Sequence, residues 1–359
     1  MLVIHIGPRK TASTYLQSNF YRNRKELLRK GWLYPVLSLR VRNAHHGIVQ
    51  SLKEVRKGEG AVVRGMAKAG RLAASKGANI LISSENFRKW KASEIALLGK
   101  CFGQQDVLVV YTLRDPLDLL VSGWGENVKM GRTASLEAYA RKHLSAPHES
   151  PILDCLVPLE PILAEPGLRL KVLNFEDIKR RKADIYQEFG RHILGLDDLK
   201  PDYVKPRNQS FPVEINDFLR LLARRIDYNN KDSDLLLSRQ FGRTHSQAEI
   251  DAIAATIKRV GGDAAKMVRF SRDDAWFREQ EVRVIERLGP MLVPAPSDGR
   301  LFSEGVVESL SYDIDRLAAH PEIASLLDRA VLRLKKARRR FARNPVVAAW
   351  RYVQRLFSV

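Results

Sequence analysis

At 359 residues, 45% apolar and 28% charged, the chain suits one large domain or two smaller ones and is too apolar for wholesale disorder. It contains no apolar run of the ~18 residues that a membrane-spanning helix needs. Its two cysteines, Cys101 and Cys155, are too few for a disulfide framework or a four-thiolate zinc site. The formal net charge of +20 points to an anionic partner: nucleic acid, phospholipid, or a phosphorylated or sulfated small molecule. The opening MLVIHIGPRK has no basic segment ahead of its short apolar stretch, which predicts no cleaved leader. With so few cysteines, that predicts a reducing, cytoplasmic setting.

In chain order, Leu2–Ile6 reads as a strand covered on both faces, followed by a Gly-Pro turn and a helix from Ser13 to Lys30. Further strands are expected at 79–83, 107–112 and 168–173, with a helical stretch from Glu137 to His143. Beyond Pro206 the pattern reads as almost wholly helical, over Val213–Arg225, Gln247–Val260 and Trp276–Leu288. The alternation predicts an α/β fold: a P-loop-like parallel sheet flanked by helices, with a helical C-terminal extension. The expected organisation is an α/β domain over 1–225, a helical extension packed on it over 226–328, and a basic tail over 329–359.

That tail carries ten basic residues and no acidic one, half of the net charge. Asn344-Pro345 reads as a helix start, and Val346, Trp350, Val353 and Phe357 fall on one stripe, away from Arg351 and Arg355. Such a helix suits either adsorption to an anionic membrane face or docking on its own domain with a solvated basic side.

The first strand runs into Gly7-Pro8-Arg9-Lys10-Thr11-Ala12-Ser13-Thr14 and then a helix. A lysine, several hydroxyls and the free N–H groups of a helix start make an anion cradle. Ser and Thr are also ordinary helix caps, but a cap needs no lysine. The loop is not a Walker motif: Gly7 and Lys10 are only three apart, and no glycine precedes the lysine. The strand at 107–112 leads into Leu113-Arg114-Asp115, with no acidic residue at the Walker B position, which disfavours a metal-dependent kinase. Arg114 at that strand end, with Ser122 about two helical turns on, reads as a second anion clamp.

Together these motifs resemble the sulfotransferases that use 3′-phosphoadenylyl sulfate (PAPS), in particular the bacterial group that opens with H-I-G-x-x-K-T-G-T-T-x-L-Q. Here that segment reads His5-Ile6-Gly7-Pro8-Arg9-Lys10-Thr11-Ala12-Ser13-Thr14-Tyr15-Leu16-Gln17, with Ala12 for the usual glycine and Ser13 for the usual threonine. Tyr34-Pro35, Ala44-His45-His46, Ser83-Ser84-Glu85-Asn86-Phe87, the Ser122–Gly131 segment and Asn208-Gln209-Ser210 follow in the family's order. The resemblance implies that Arg9, Lys10, Thr11, Ala12, Ser13 and Thr14 hold the 5′-phosphosulfate, and that Arg114 and Ser122 hold the 3′-phosphate. Arg207 is a further candidate for that phosphate.

It also implies in-line sulfuryl transfer to a hydroxyl acceptor, a carbohydrate or glycolipid, with Lys10 stabilising the leaving oxygen and no metal ion. The base is His46, its neighbour His45, or Glu85, which follows the second strand at the edge where α/β ligands bind. Two other readings stand beside it. One is a small-molecule kinase with a P-loop. The other is a basic nucleic-acid-binding protein, against which counts the scatter of basic among acidic residues outside the tail.

Overall fold

The computed structural model describes residues 1–39, 43–203, 211–226, 228, 236–296 and 298–342. Its strands are β1 (Leu2–Gly7), β2 (Trp32–Leu33), β3 (Asn79–Ser83), β4 (Val107–Leu113), β5 (Leu168–Asn174), β6 (Ala265–Ser271), β7 (Leu292–Val293) and β8 (Val306–Tyr312). Six of them form one sheet in the order β2-β3-β1-β4-β5-β7, and every neighbouring pair is parallel. The unbroken apolar runs of β1 and β4 are buried along their whole length, as strands covered by helices on both faces must be. Each fully buried Ile, Leu or Val in them contributes about 1.5–3 kcal/mol. The expected α/β fold with a parallel sheet and flanking helices is thus present.

The strand order matters for the site. From β1 the chain passes to β2 on one side, and from β4 to β5 on the other, so the direction of winding reverses between β1 and β4. At such a reversal the loops leaving the two strands part, and a crevice opens beyond their carboxyl ends. The β1–β4 register also shifts between His5 and Gly7, which bends the end of β1 where its loop begins.

Two expectations are corrected. The helix from Ser13 is interrupted at Asn23, leaving Ser13–Arg22 (helix α1) and Arg24–Arg29. The Asn23 amide donates to the Tyr186 hydroxyl and the Lys200 carbonyl, both at 3.0 Å, which fixes the break. The region after Pro206 is not almost wholly helical, because β6, β7 and β8 lie in it. In β6 the residues that go inward are Val268 and Phe270, a two-residue alternation within a short charged stretch that helical patterning overruns.

The chain packs as two compact units. The first draws on residues 1–120, 143–208 and 271–306 and holds the parallel sheet. The second draws on 121–142, 209–270 and the chain from 307 onward, and is built on the Val213–Arg225, Gln247–Val260 and Pro321–Ala342 helices. Its interior holds the ion pair Asp217–Arg220, whose carboxylate also accepts the Tyr312 N–H at 2.8 Å. No helix among the described residues is long and apolar enough to cross a membrane. The amphipathic stripe from Val346 to Phe357 lies outside the described residues.

Two histidines are fully buried in the first unit. His5 links three strands: Nδ1 lies 2.8 Å from Ser83 Oγ on β3, and Nε2 lies 3.2 Å from Thr112 Oγ1 on β4. His45 accepts the Ser83 N–H on Nδ1 at 3.2 Å and donates from Nε2 to the Pro35 carbonyl at 3.0 Å. Burial lowers both from 6.5 to about 4; Glu85 weakly opposes this for His5, and the Pro35 and Ser83 bonds do so for His45. Between about pH 6.5 and 4 the unfolded chain therefore binds protons that the folded chain excludes, so stability falls as pH falls through that window. Denaturant unfolding of His5→Asn across this range should show a pH slope shallower than that of the unmodified protein by about one proton, or ~1.4 kcal/mol per pH unit. An unchanged slope would mean that His5 is protonated in the fold.

Candidate active site

The loop after β1 is shaped by three residues with positive φ: Gly7 at 93°, Lys10 at 69° and Ala12 at 55°. Gly7 is needed twice over. Its φ suits glycine, and a Cβ there would lie 2.8 Å from Glu85 Cβ and 3.1 Å from Glu85 Cα. Lys10 and Ala12 hold the left-handed conformation without being glycine, at a cost on the order of 1 kcal/mol each. Alternating left- and right-handed residues turn successive backbone N–H groups to one side, the concavity that binds anions. Ala12 caps α1, whose first-turn N–H groups have no partners within the helix.

The hydroxyls divide by role. Thr11 Oγ1 donates to the Pro8 carbonyl at 2.7 Å, and Ser13 Oγ reaches the same oxygen at 3.3 Å. Both are buried and hold the loop on itself. Thr14, in the first turn of α1, and Lys10 remain partly exposed. Arg9 extends sideways and donates from Nη2 to Asn86 Oδ1 at 3.2 Å.

The second expected clamp joins this loop directly. Arg114 Nη1 donates to the Lys10 carbonyl, and Nη2 lies 3.6 Å from Asp118 Oδ2. Among the described residues its buried Nε finds no hydrogen-bond partner. A charged donor buried without a partner is costly, and an anion oxygen is the chemistry that satisfies it. Asp115 caps the Pro116–Lys129 helix, accepting from Leu117 N at 2.9 Å and Asp118 N at 3.1 Å. Ser122 is half-buried on that helix, in the part of it that belongs to the second unit. Arg207 and Asn208–Ser210 lie outside the described residues.

His46 and Glu85 meet beside the loop, with His46 Nε2 3.8 Å from Glu85 Oε1. Their side chains are only 15% and 20% exposed, open enough to meet a substrate yet shielded enough to perturb each other. His46 Nδ1 lies 2.7 Å from Ser84 Oγ and 3.3 Å from Asn86 Nδ2. Because Arg9 donates to Asn86 Oδ1, the amide turns its NH2 toward His46. This assigns Nδ1 as an acceptor and puts the neutral ring's proton on Nε2, facing Glu85. Gln17 Nε2 donates to Glu85 Oε2 and to Ser83 Oγ, both at 3.2 Å. Ser83 Oγ in turn meets His5, so a buried polar chain runs from Glu85 into the centre of the sheet.

Burial pushes the Glu85 carboxyl up, but His46, its own backbone N–H, Gln17 and Arg9 together hold it below the usual carboxylate range. Burial lowers His46, with Glu85 pulling it back up and Arg9 pushing it further down. Near neutral pH the pair is therefore a carboxylate beside a neutral imidazole, with room for one proton.

Of the expected residues, Arg9, Lys10, Thr11, Ala12, Ser13, Thr14, Arg114, His46 and Glu85 are gathered around one loop. His45 stands apart, with both ring nitrogens hydrogen-bonded in the core. Gln17 and Asn86 were legible only as members of motifs; their spacing alone does not reveal that they orient Glu85 and His46. No protein-family model, curated protein or solved structure matches this chain.

The loop conformation predicts opposite outcomes for two conservative changes. Gly7→Ala should lose about 3 kcal/mol of stability from strain and collision with Glu85. Ala12→Gly should gain about 1 kcal/mol by relieving a left-handed alanine. Thermal unfolding of the two variants measures both; destabilisation by Ala12→Gly would contradict the left-handed assignment.

Proposed function

We propose that the protein transfers a sulfuryl group from PAPS to a hydroxyl acceptor, a carbohydrate or glycolipid, without a metal ion. The observation that carries this reading is the junction of two anion-binding elements at the β1–β4 crevice: Arg114, with its unpartnered buried Nε, is bonded to the backbone of the Lys10 loop. One nucleotide with a phosphate at each end of its ribose suits that pair of elements. The residues fit it as follows. The N–H groups of the Lys10–Thr14 turn and the Lys10 ammonium face the 5′ end, and Arg114 faces the 3′-phosphate.

PAPS, when bound, supplies a sulfuryl group already activated as a mixed anhydride. Transfer forms the bond between acceptor oxygen and sulfur, breaks that between sulfur and the bridging oxygen, and leaves adenosine 3′,5′-bisphosphate. Lys10 and the start of α1 meet the negative charge that collects on the bridging oxygen. Preorganised donors of this kind are each worth about 3–4 kcal/mol in a shielded site. The acceptor's proton goes to Glu85. That choice follows from the hydrogen-bond count, which puts a proton on His46 Nε2 and leaves lone pairs on the ionised carboxylate. Gln17 orients Glu85, and His46 helps to keep it ionised.

Two measurements test the reading. Labelled PAPS should bind saturably, and Arg114→Ala should weaken it at least about tenfold, the loss of one charge-assisted contact; unchanged binding would refute the assignment. If Glu85 is the base, the rate falls on the acid side at a pH below the usual carboxylate value. His46→Gln removes a group that lowers the Glu85 pKa, so this acid limb should move to higher pH while turnover persists. Turnover that persists in Glu85→Gln and collapses in His46→Gln would make His46 the base instead.

A further inference from the structure

Arg272 lies immediately after β6, well outside the segment that carries the nucleotide motifs. Its own N–H donates to the Gly305 carbonyl at 3.0 Å, and its side chain, 8% exposed, crosses to the start of the Pro116–Lys129 helix. There Nε donates to Asp115 Oδ2 at 2.7 Å, Nη2 donates to Asp118 Oδ1 at 3.2 Å, and Nη1 reaches the Glu304 carbonyl at 3.5 Å.

The two carboxylates it holds are otherwise a liability. Asp118 Oδ2 lies 3.6 Å from Arg114 Nη2, so its charge acts directly on the guanidinium assigned to the 3′-phosphate. Lys179 also faces Asp118, at 3.3 Å, but it is shared with Glu176 at 2.8 Å, and Glu176 in turn accepts the Asp115 N–H at 3.2 Å. The network therefore holds three cations, Arg114, Lys179 and Arg272, and three carboxylates, Asp115, Asp118 and Glu176. Without Arg272 it carries a net negative charge, and Asp118 is left to Arg114 and to a Lys179 already shared with Glu176. A carboxylate at that distance, screened only by a partly buried surround, repels an incoming phosphate strongly.

We propose that Arg272 is a positioning residue for the 3′-phosphate: by neutralising Asp115 and Asp118 it frees Arg114 to receive an anion and fixes its orientation. This rests on the PAPS reading above. It predicts a selectivity effect, because the 3′-phosphate alone senses this corner of the site.

The test compares the affinity for adenosine 3′,5′-bisphosphate with that for adenosine 5′-monophosphate, by calorimetry. The unmodified protein should prefer the bisphosphate; equal affinity would overturn the PAPS reading itself. Arg272→Gln should reduce that preference about tenfold, and adding Asp118→Asn should restore it by removing the exposed charge. A fold defect alone would weaken both ligands together and would not be rescued at Asp118. Should Arg272→Gln not fold, Asp118→Asn in the unmodified background decides: it should raise the preference several-fold, since one less carboxylate then opposes Arg114. A preference unchanged by Arg272→Gln, rescue that fails, or an Asp118→Asn variant with unaltered preference would each overturn the role of Arg272 and leave the PAPS reading standing.

Discussion

The close approach of the β1 loop to Glu85 governs the rest of the site. With no side chain on Gly7, the backbone leaving β1 settles against the Cα and Cβ of the residue leaving β3. From that contact the loop must turn back sharply, and it does so through left-handed residues at Lys10 and Ala12. The turn brings the Lys10 carbonyl to Arg114, which joins a third strand end to the first two. A larger residue at position 7 would push the loop off Glu85 and draw the Lys10 carbonyl away from Arg114.

Rigidity under this loop comes from polar groups rather than apolar ones. His5 is the one polar side chain in the apolar run of β1, and it bonds to β3 and β4 at once. Ser83 passes the chain of bonds to Gln17, and Gln17 passes it to Glu85. A partly satisfied network in the same place would cost more than an apolar core; a fully connected one fixes where the carboxylate stands. The core beneath the sheet and the chemistry above it are thus one hydrogen-bonded system.

Much of this was legible in the sequence because strong local patterns carry it. The apolar runs of β1 and β4 announce buried parallel strands, and the Lys10 loop and Arg114 announce anion chemistry through residue type and spacing. What was not legible depends on contacts between distant segments. The break at Asn23 is set by Tyr186 and Lys200, which no local pattern foretells. Strand β7 is only two residues long, and β6 alternates its buried Val268 and Phe270 with charged or exposed residues, so no unbroken apolar run announces either. Arg272 is one arginine among many in the sequence; only the fold reveals that it lies against Asp115 and Asp118. The hydroxyls of Thr11 and Ser13 show a subtler limit. The sequence places them at an anion cradle, while the folded loop turns both toward Pro8.

The Gly7–Glu85 contact has a consequence for how such a site can change over time. It ends at the Cβ of Glu85, so it constrains the backbone of both loops, while the carboxylate beyond that carbon is held by Gln17 instead. The side chain at position 85 can therefore change beyond its Cβ without moving the loop that rests against it. The backbone at this corner and the carboxylate beyond it are thus set by separate neighbours, Gly7 for the one and Gln17 for the other.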